Sequence, residues 1–220
     1  MSRPAVPTAR AVSLGLAVAA SSRSVLAASL AWFALLAAVY AADAGPPLAA
    51  LASTAAALLP ISAWAAAAAL AATSPDLRQL LTAANGHPRV LLADAVPSVL
   101  WVLGATVTGS AAAWLLDPHP APVADRLLGA VLHLLCGCVG IAIALALHAA
   151  GVTRGVQTLV VAAATLASAR VAWLPPAGPV LSGWGAGERP GWGAGSWALL
   201  GPFVVASGLI VVTLRLRRRR

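Results

Sequence analysis

The chain has 220 residues, 60% of them hydrophobic and only 9% charged, with a formal net charge of +8. That composition is too apolar for amphipathic helices around a soluble core. All 14 basic side chains are arginine, and the absence of lysine excludes both a Walker-type phosphate loop and Schiff-base chemistry.

Residues 1–24 read as a cytoplasmic or interfacial entry segment. Ala11 to Ala20, behind Arg3 and Arg10, also has the form of a short signal-peptide core, with Ala17 and Ala19 at cleavage-site spacing. Arg23 and a full-length apolar stretch follow at once, which favours the interfacial reading.

Six apolar stretches then occupy a transmembrane domain over 25–214: approximately Val25 to Ala42, Leu48 to Ala72, Leu91 to Leu116, Leu127 to Ala150, Val156 to Leu174 and Trp197 to Leu214. Each reaches the roughly 17 to 25 residues with which a helix crosses about 30 Å of hydrocarbon. Pro60 and Pro97 fall inside the second and third stretches, where each removes a backbone donor and permits a kink. Gly104 and Thr108 have the small-xxx-small spacing that lets helices approach closely. The fold class expected is an all-α polytopic membrane protein with about six transmembrane helices.

Between the second and third stretches the sequence predicts a short cytoplasmic helix over 75–84. Ser74 suits its N-cap, Pro75 its first position and Asp76 the positive end of its dipole. Asn85-Gly86 supplies a left-handed stop, and Pro88 is expected to prevent resumption. Leu77, Leu80, Leu81 and Ala84 recur at helical spacing as one apolar stripe, with Arg78 and Gln79 beside it. A helix of about ten residues is neither long enough to span nor stable alone, so it must rest on lipid or dock on another protein. The candidate coupling residues are Leu77, Arg78, Leu80, Leu81 and Arg89.

The fourth stretch holds the only cysteines, Cys136 and Cys138, about 200° apart on a helix and so unable to share a disulfide or a metal easily. They read as small packing residues beside Gly137 and Gly140. His133 shares a face with Cys136 and His148 lies near the inner end, whereas His87 and His119 fall in loops on opposite sides. No catalytic, metal or cofactor site is expected. Carboxylates are also scarce within the spans; Asp94 alone comes close, which argues against a carrier driven by protons or sodium.

Near the other end, an outer loop over 174–196 repeats Gly-Trp-Gly-Ala-Gly at 183–187 and 191–195. Trp173, Trp184, Trp192 and Trp197 suit the headgroup layer as interface anchors, with a substrate-contacting outer gate as the alternative. A cytoplasmic tail over 215–220 contains Arg217, Arg218, Arg219 and Arg220, expected to anchor on anionic lipid rather than nucleic acid. With both termini inside, eleven arginines lie on the cytoplasmic side and Arg126, Arg170 and Arg189 outside, as the positive-inside bias requires. The location expected is the plasma membrane.

Leu77-Arg-Gln-Leu-Leu-Thr-Ala-Ala-Asn-Gly-His-Pro-Arg-Val-Leu-Leu, Gly151-Val-Thr-Arg-Gly-Val and Trp173-Leu-Pro-Pro-Ala-Gly-Pro-Val-Leu, in this arrangement of spans, make the chain resemble the membrane subunits of type 2 ABC transporters, in their compact actinobacterial form. The resemblance covers nearly the whole chain as an arrangement and includes no catalytic fingerprint. It implies a short entry segment, a cytoplasmic coupling helix between spans two and three, and a hydrophobic re-entrant stretch before span six. It further implies a non-catalytic permease subunit, a separate ATP-binding partner, a homo- or heterodimeric pore, and export of a hydrophobic or amphipathic substrate along spans one, two and five. The competing reading is a non-transporting membrane protein that assembles or regulates a neighbouring complex.

Overall fold

The computed structural model describes residues 8–41, 45–172, 174, 177–184 and 192–218, and among them the chain is helical with no strand. The helices are α1 (Thr8–Ala20), α2 (Arg23–Ala41), α3 (Pro47–Ala72), α4 (Pro75–Asn85), α5 (His87–Leu115), α6 (Val123–Ala149), α7 (Arg154–Arg170), α8 (Ala177–Trp184) and α9 (Trp192–Arg218). The expected all-α polytopic class is therefore the observed one. Among the described residues, five helices are long and apolar enough to cross a membrane: α2, α3, α5 from Ala93 onward, α6, and α9 from Ser196 to Leu216. Phe33, Val107 and Phe203 on their outer faces are exposed, a distribution that lipid solvates and water does not.

The fifth expected span is shorter than its apolar stretch. α7 has 17 residues, or about 25 Å at 1.5 Å per residue, and ends at Arg170 where Val171 turns extended (φ −104°, ψ 102°). α8 then folds back: a Cβ on Gly178 would overlap the Val171 carbonyl, so only glycine permits this approach.

Together α7 and α8 still carry the chain from one end of the bundle to the other. α7 starts just beyond His148, at the end where α3 finishes, whereas Trp184 and Ala198 pack with Leu48 and Ala52 in the first turns of α3. α2 runs the same way as α5, its Leu36 and Tyr40 meeting Ala112 and Ala113 at the far end. The start of α2 and the end of α9 accordingly lie at the end that carries α4.

At the centre, α3 packs against α6. A Cβ on Gly140 would overlap Ser62 Oγ and the Leu59 carbonyl, and one on Gly129 would overlap the Leu51 side chain, so bare backbone is what brings the two helices together. Ser62 Oγ donates to Leu59 O at 2.9 Å and lies 3.1 Å from Gly137 O across the interface. Cys136 is fully buried in this core and, like Cys138, is a free thiol, which agrees with the packing role expected of it. Gly104 does not make the expected close contact: nothing lies within 4 Å of where its Cβ would stand. Its neighbour Thr108 instead accepts from Trp32 Nε1 at 3.0 Å, while Trp101 Nε1 donates back to Ser29 Oγ at 2.9 Å. Two indole–hydroxyl bonds thus fix α2 against α5.

Candidate functional site

α4 forms as its caps dictate. Ser74 Oγ accepts from Leu77 N at 3.3 Å, and Gly86 closes the helix at φ +78°, donating to Thr82 O. Pro88 does not stop the chain as expected. α5 begins at His87 and Pro88 sits in its first turn, a position that has no helical N–H partner to lose. One glycine therefore separates the two helices, which leaves little slack between α4 and α5.

The apolar stripe divides. Leu77 and Leu81 are half-buried and line a cleft with Leu14 and Val18 of α1 and Val90 and Pro97 of α5. Gly15 of α1 permits this, since its Cβ position is 3.2 Å from the Ala93 carbonyl. The expectation that all three leucines form one partner-facing stripe is corrected in this respect: two of them face this cleft. Leu80 is turned the other way, 68% exposed, together with Asp76, Gln79, Ala83 and, beyond the glycine, Arg89.

Arg78 also departs from its expected place as an outward polar contact. Its side chain is 19% exposed, and its guanidinium is engaged within the chain. Nη2 donates to the Leu70 carbonyl at 2.6 Å, Nη1 meets His148 Nε2 at 2.7 Å, and Nε lies 3.5 Å from Asp94 Oδ2, an ion pair rather than a hydrogen bond. Because arginine only donates, His148 must accept through Nε2 and carry its proton on Nδ1. Leu70 lies in the last turn of α3 and His148 in the last turn of α6, so one cation serves the negative ends of two helix dipoles and a carboxylate of a third helix. Asp94 and His148 were separately visible in the sequence, one as the lone carboxylate near a span and one as a histidine near an inner end. The missed signal was their common depth beside the α4 loop, since an ionisable group at a membrane edge needs a partner.

Comparisons with family models, with curated proteins and with solved structures give no match for this chain.

A second buried polar group lies deeper. His133, fully buried, bonds Gly129 O at 2.7 Å and Thr54 Oγ1 at 3.0 Å, with the Trp32 ring edge-on at 5.9 Å. These partners satisfy the imidazole within the core, and no group of three or more metal-ligating side chains occurs among the described residues.

Of the four tryptophans expected to anchor in the interface, Trp184 is placed differently. It is 2% exposed and belongs to the core where α8 meets α3 and α9, because α8 turns it inward rather than leaving it in a loop. α8 itself lies within the expected outer loop. Trp197 is 42% exposed, Trp192 opens α9, and Trp173 lies outside the described residues. Arg217 and Arg218 continue α9 rather than forming a tail, and Arg219 and Arg220 lie outside the described residues. At this far end Arg126 stacks on the Trp114 ring at 4.5 Å, and Asp117 accepts from the His119 backbone N–H at 2.9 Å.

Proposed function

We propose that this chain is the membrane-embedded permease subunit of an ATP-driven transporter, exporting a hydrophobic or amphipathic substrate across the plasma membrane. ATP is hydrolysed by a separate protein that docks on the outward face of α4, and a second membrane subunit, identical or related, completes the pathway. The observation that carries this reading is the tie at Arg78. α4 presents Leu80 outward while its next-but-one neighbour grips α3, α5 and α6 at once. A displacement applied to the outer face is thereby delivered to three spans instead of being absorbed by a loop. The resemblance to type 2 ABC membrane subunits supplies the class of partner, and the lack of lysine supports hydrolysis elsewhere.

Affinity purification in mild detergent tests this. A protein with a phosphate-loop lysine should co-elute, and Leu80→Asp should reduce its recovery about tenfold, since burying one leucine contributes roughly 1.5 to 3 kcal/mol. Co-elution of membrane proteins with no nucleotide-binding protein would favour the assembly role instead.

A further inference from the structure

A cavity of about 440 Å³ opens between α2, α3, α6 and α7, within the roughly 300 to 1,000 Å³ range of small-molecule sites. Its body is apolar, formed by Ala63 and Ala67 of α3, Leu147 of α6, and Val161 and Ala162 of α7. It begins beside Pro60, near the middle of α3, and runs toward the end that carries α4, reaching Ala68. Pro60 to Ala68 measures about 12 Å at 1.5 Å per residue, most of the roughly 15 Å of one bilayer leaflet. The void therefore spans most of a single leaflet.

Its polar groups are all at one end. Ser24 stands in the first turn of α2, and Gln157 and Thr158 in the first turns of α7. Gln157 is buried and donates from Nε2 to Val152 O at 2.8 Å. That end also carries exposed Arg23, next to Ser24 at the start of α2, and no carboxylate lines the cavity. The starts of α2 and α7 and the last turns of α3 and α6 lie there together, so their helix dipoles offset one another and Arg23 supplies the positive charge. Trp64, also lining the cavity, is 46% exposed, so the side of the cavity is open to the surroundings of the bundle.

We infer that this cavity binds an amphiphile of the α4-side leaflet with one alkyl chain and an anionic head, the chain lying along α3 and the head resting near Ser24, Gln157 and Arg23. An apolar body most of a leaflet deep suits a chain, and a polar mouth with Arg23 beside it suits an anion. Binding does not depend on transport; that the occupant is the exported species rests on the permease reading.

The test uses the purified chain in phosphatidylcholine nanodiscs, without nucleotide or partner, labelled with a fatty acid that carries a diazirine in its chain and in parallel with the matching fatty alcohol. Peptide mapping should place the acid on the Ala63–Ala68 segment and on Val161–Ala162. Ala162→Trp and Ala67→Trp, which fill the void from opposite walls, should each lower labelling about tenfold with elution unchanged. Arg23→Gln should lower labelling by the acid and leave the alcohol as it was. Labelling spread over the outer faces of α5 and α9 and insensitive to both tryptophans would overturn the site, and equal labelling by acid and alcohol would overturn the anionic head. Because no ATP-binding protein is present, failure here leaves the docking proposal standing, and failure of co-purification leaves this one.

Discussion

Arg78 stands where the last turns of α3 and α6 converge beside Asp94, and its guanidinium makes two hydrogen bonds and one ion pair there. Hydrogen bonds involving a charge contribute roughly 1.5 to 3 kcal/mol, and removing one partner of a buried ion pair costs roughly 3 to 5 kcal/mol. With the side chain still 19% exposed, the lower part of that range, about 2 to 3 kcal/mol, is the expected cost of Arg78→Ala. Asp94→Asn in the same chain should recover part of the loss, because no carboxylate charge is then left without the arginine's countercharge. Arg78→Lys should fall between, since a point charge cannot reach Leu70, His148 and Asp94 with one fork. Thermal unfolding in detergent across this mutant cycle measures each term. Equal midpoints for Arg78→Ala and the wild-type chain would remove the clamp. The sequence allowed Arg78 to be selected but pointed it outward, because helical spacing ranks faces by polarity and cannot show that a carbonyl of α3, a carboxylate of α5 and an imidazole of α6 meet behind the helix.

Among the elements, glycines give the sharpest contrast. Gly140→Ala forces a methyl into Ser62 and the Leu59 carbonyl, so α3 and α6 must separate; overpacking of this kind costs about 1 to 3 kcal/mol. Gly104→Ala enters open space and should be neutral or slightly stabilising, since alanine is favoured over glycine in a helix by up to about 1 kcal/mol. Reversal of that order in thermal midpoints would mean that the central helix pair is placed differently. Trp184 supplies a second comparison. Trp184→Ala should destabilise by about 3 to 5 kcal/mol, whereas Trp197→Ala, half out of the bundle, should cost much less. α4 was legible almost to the residue because Ser74 and Gly86 act through local backbone geometry. Pro88 was misread because a proline that stops one helix also opens the next. α8 was not read from its own residues: eight residues among glycines and prolines are too few to set a helix apart from a loop by spacing, and packing of Trp184 against Leu48 and Ala198 holds it in place.

On the scale of the whole molecule, apolar length and arginine placement revealed the membrane helices, because lipid demands internally bonded backbone over a fixed thickness. The early end of α7 at Arg170 was hidden by an apolar run continuing to Leu174. The geometry returns the chain to the starting side, so a cysteine at Gln79 should react with a membrane-impermeant maleimide only after cells are opened, and one at Pro120 in intact cells. The reverse pattern would invert the arrangement. The central claim is that a separate ATP-binding protein seats on the exposed face of α4. It is tested most directly by placing a photoreactive benzoylphenylalanine at position 80 and, as control, at position 115 on the far end, followed by illumination in cells and mass spectrometry. Crosslinking of a protein with a phosphate-loop lysine from position 80 and not from position 115 is the predicted result. A product at position 80 consisting only of lipid adducts, with no nucleotide-binding protein, would contradict it.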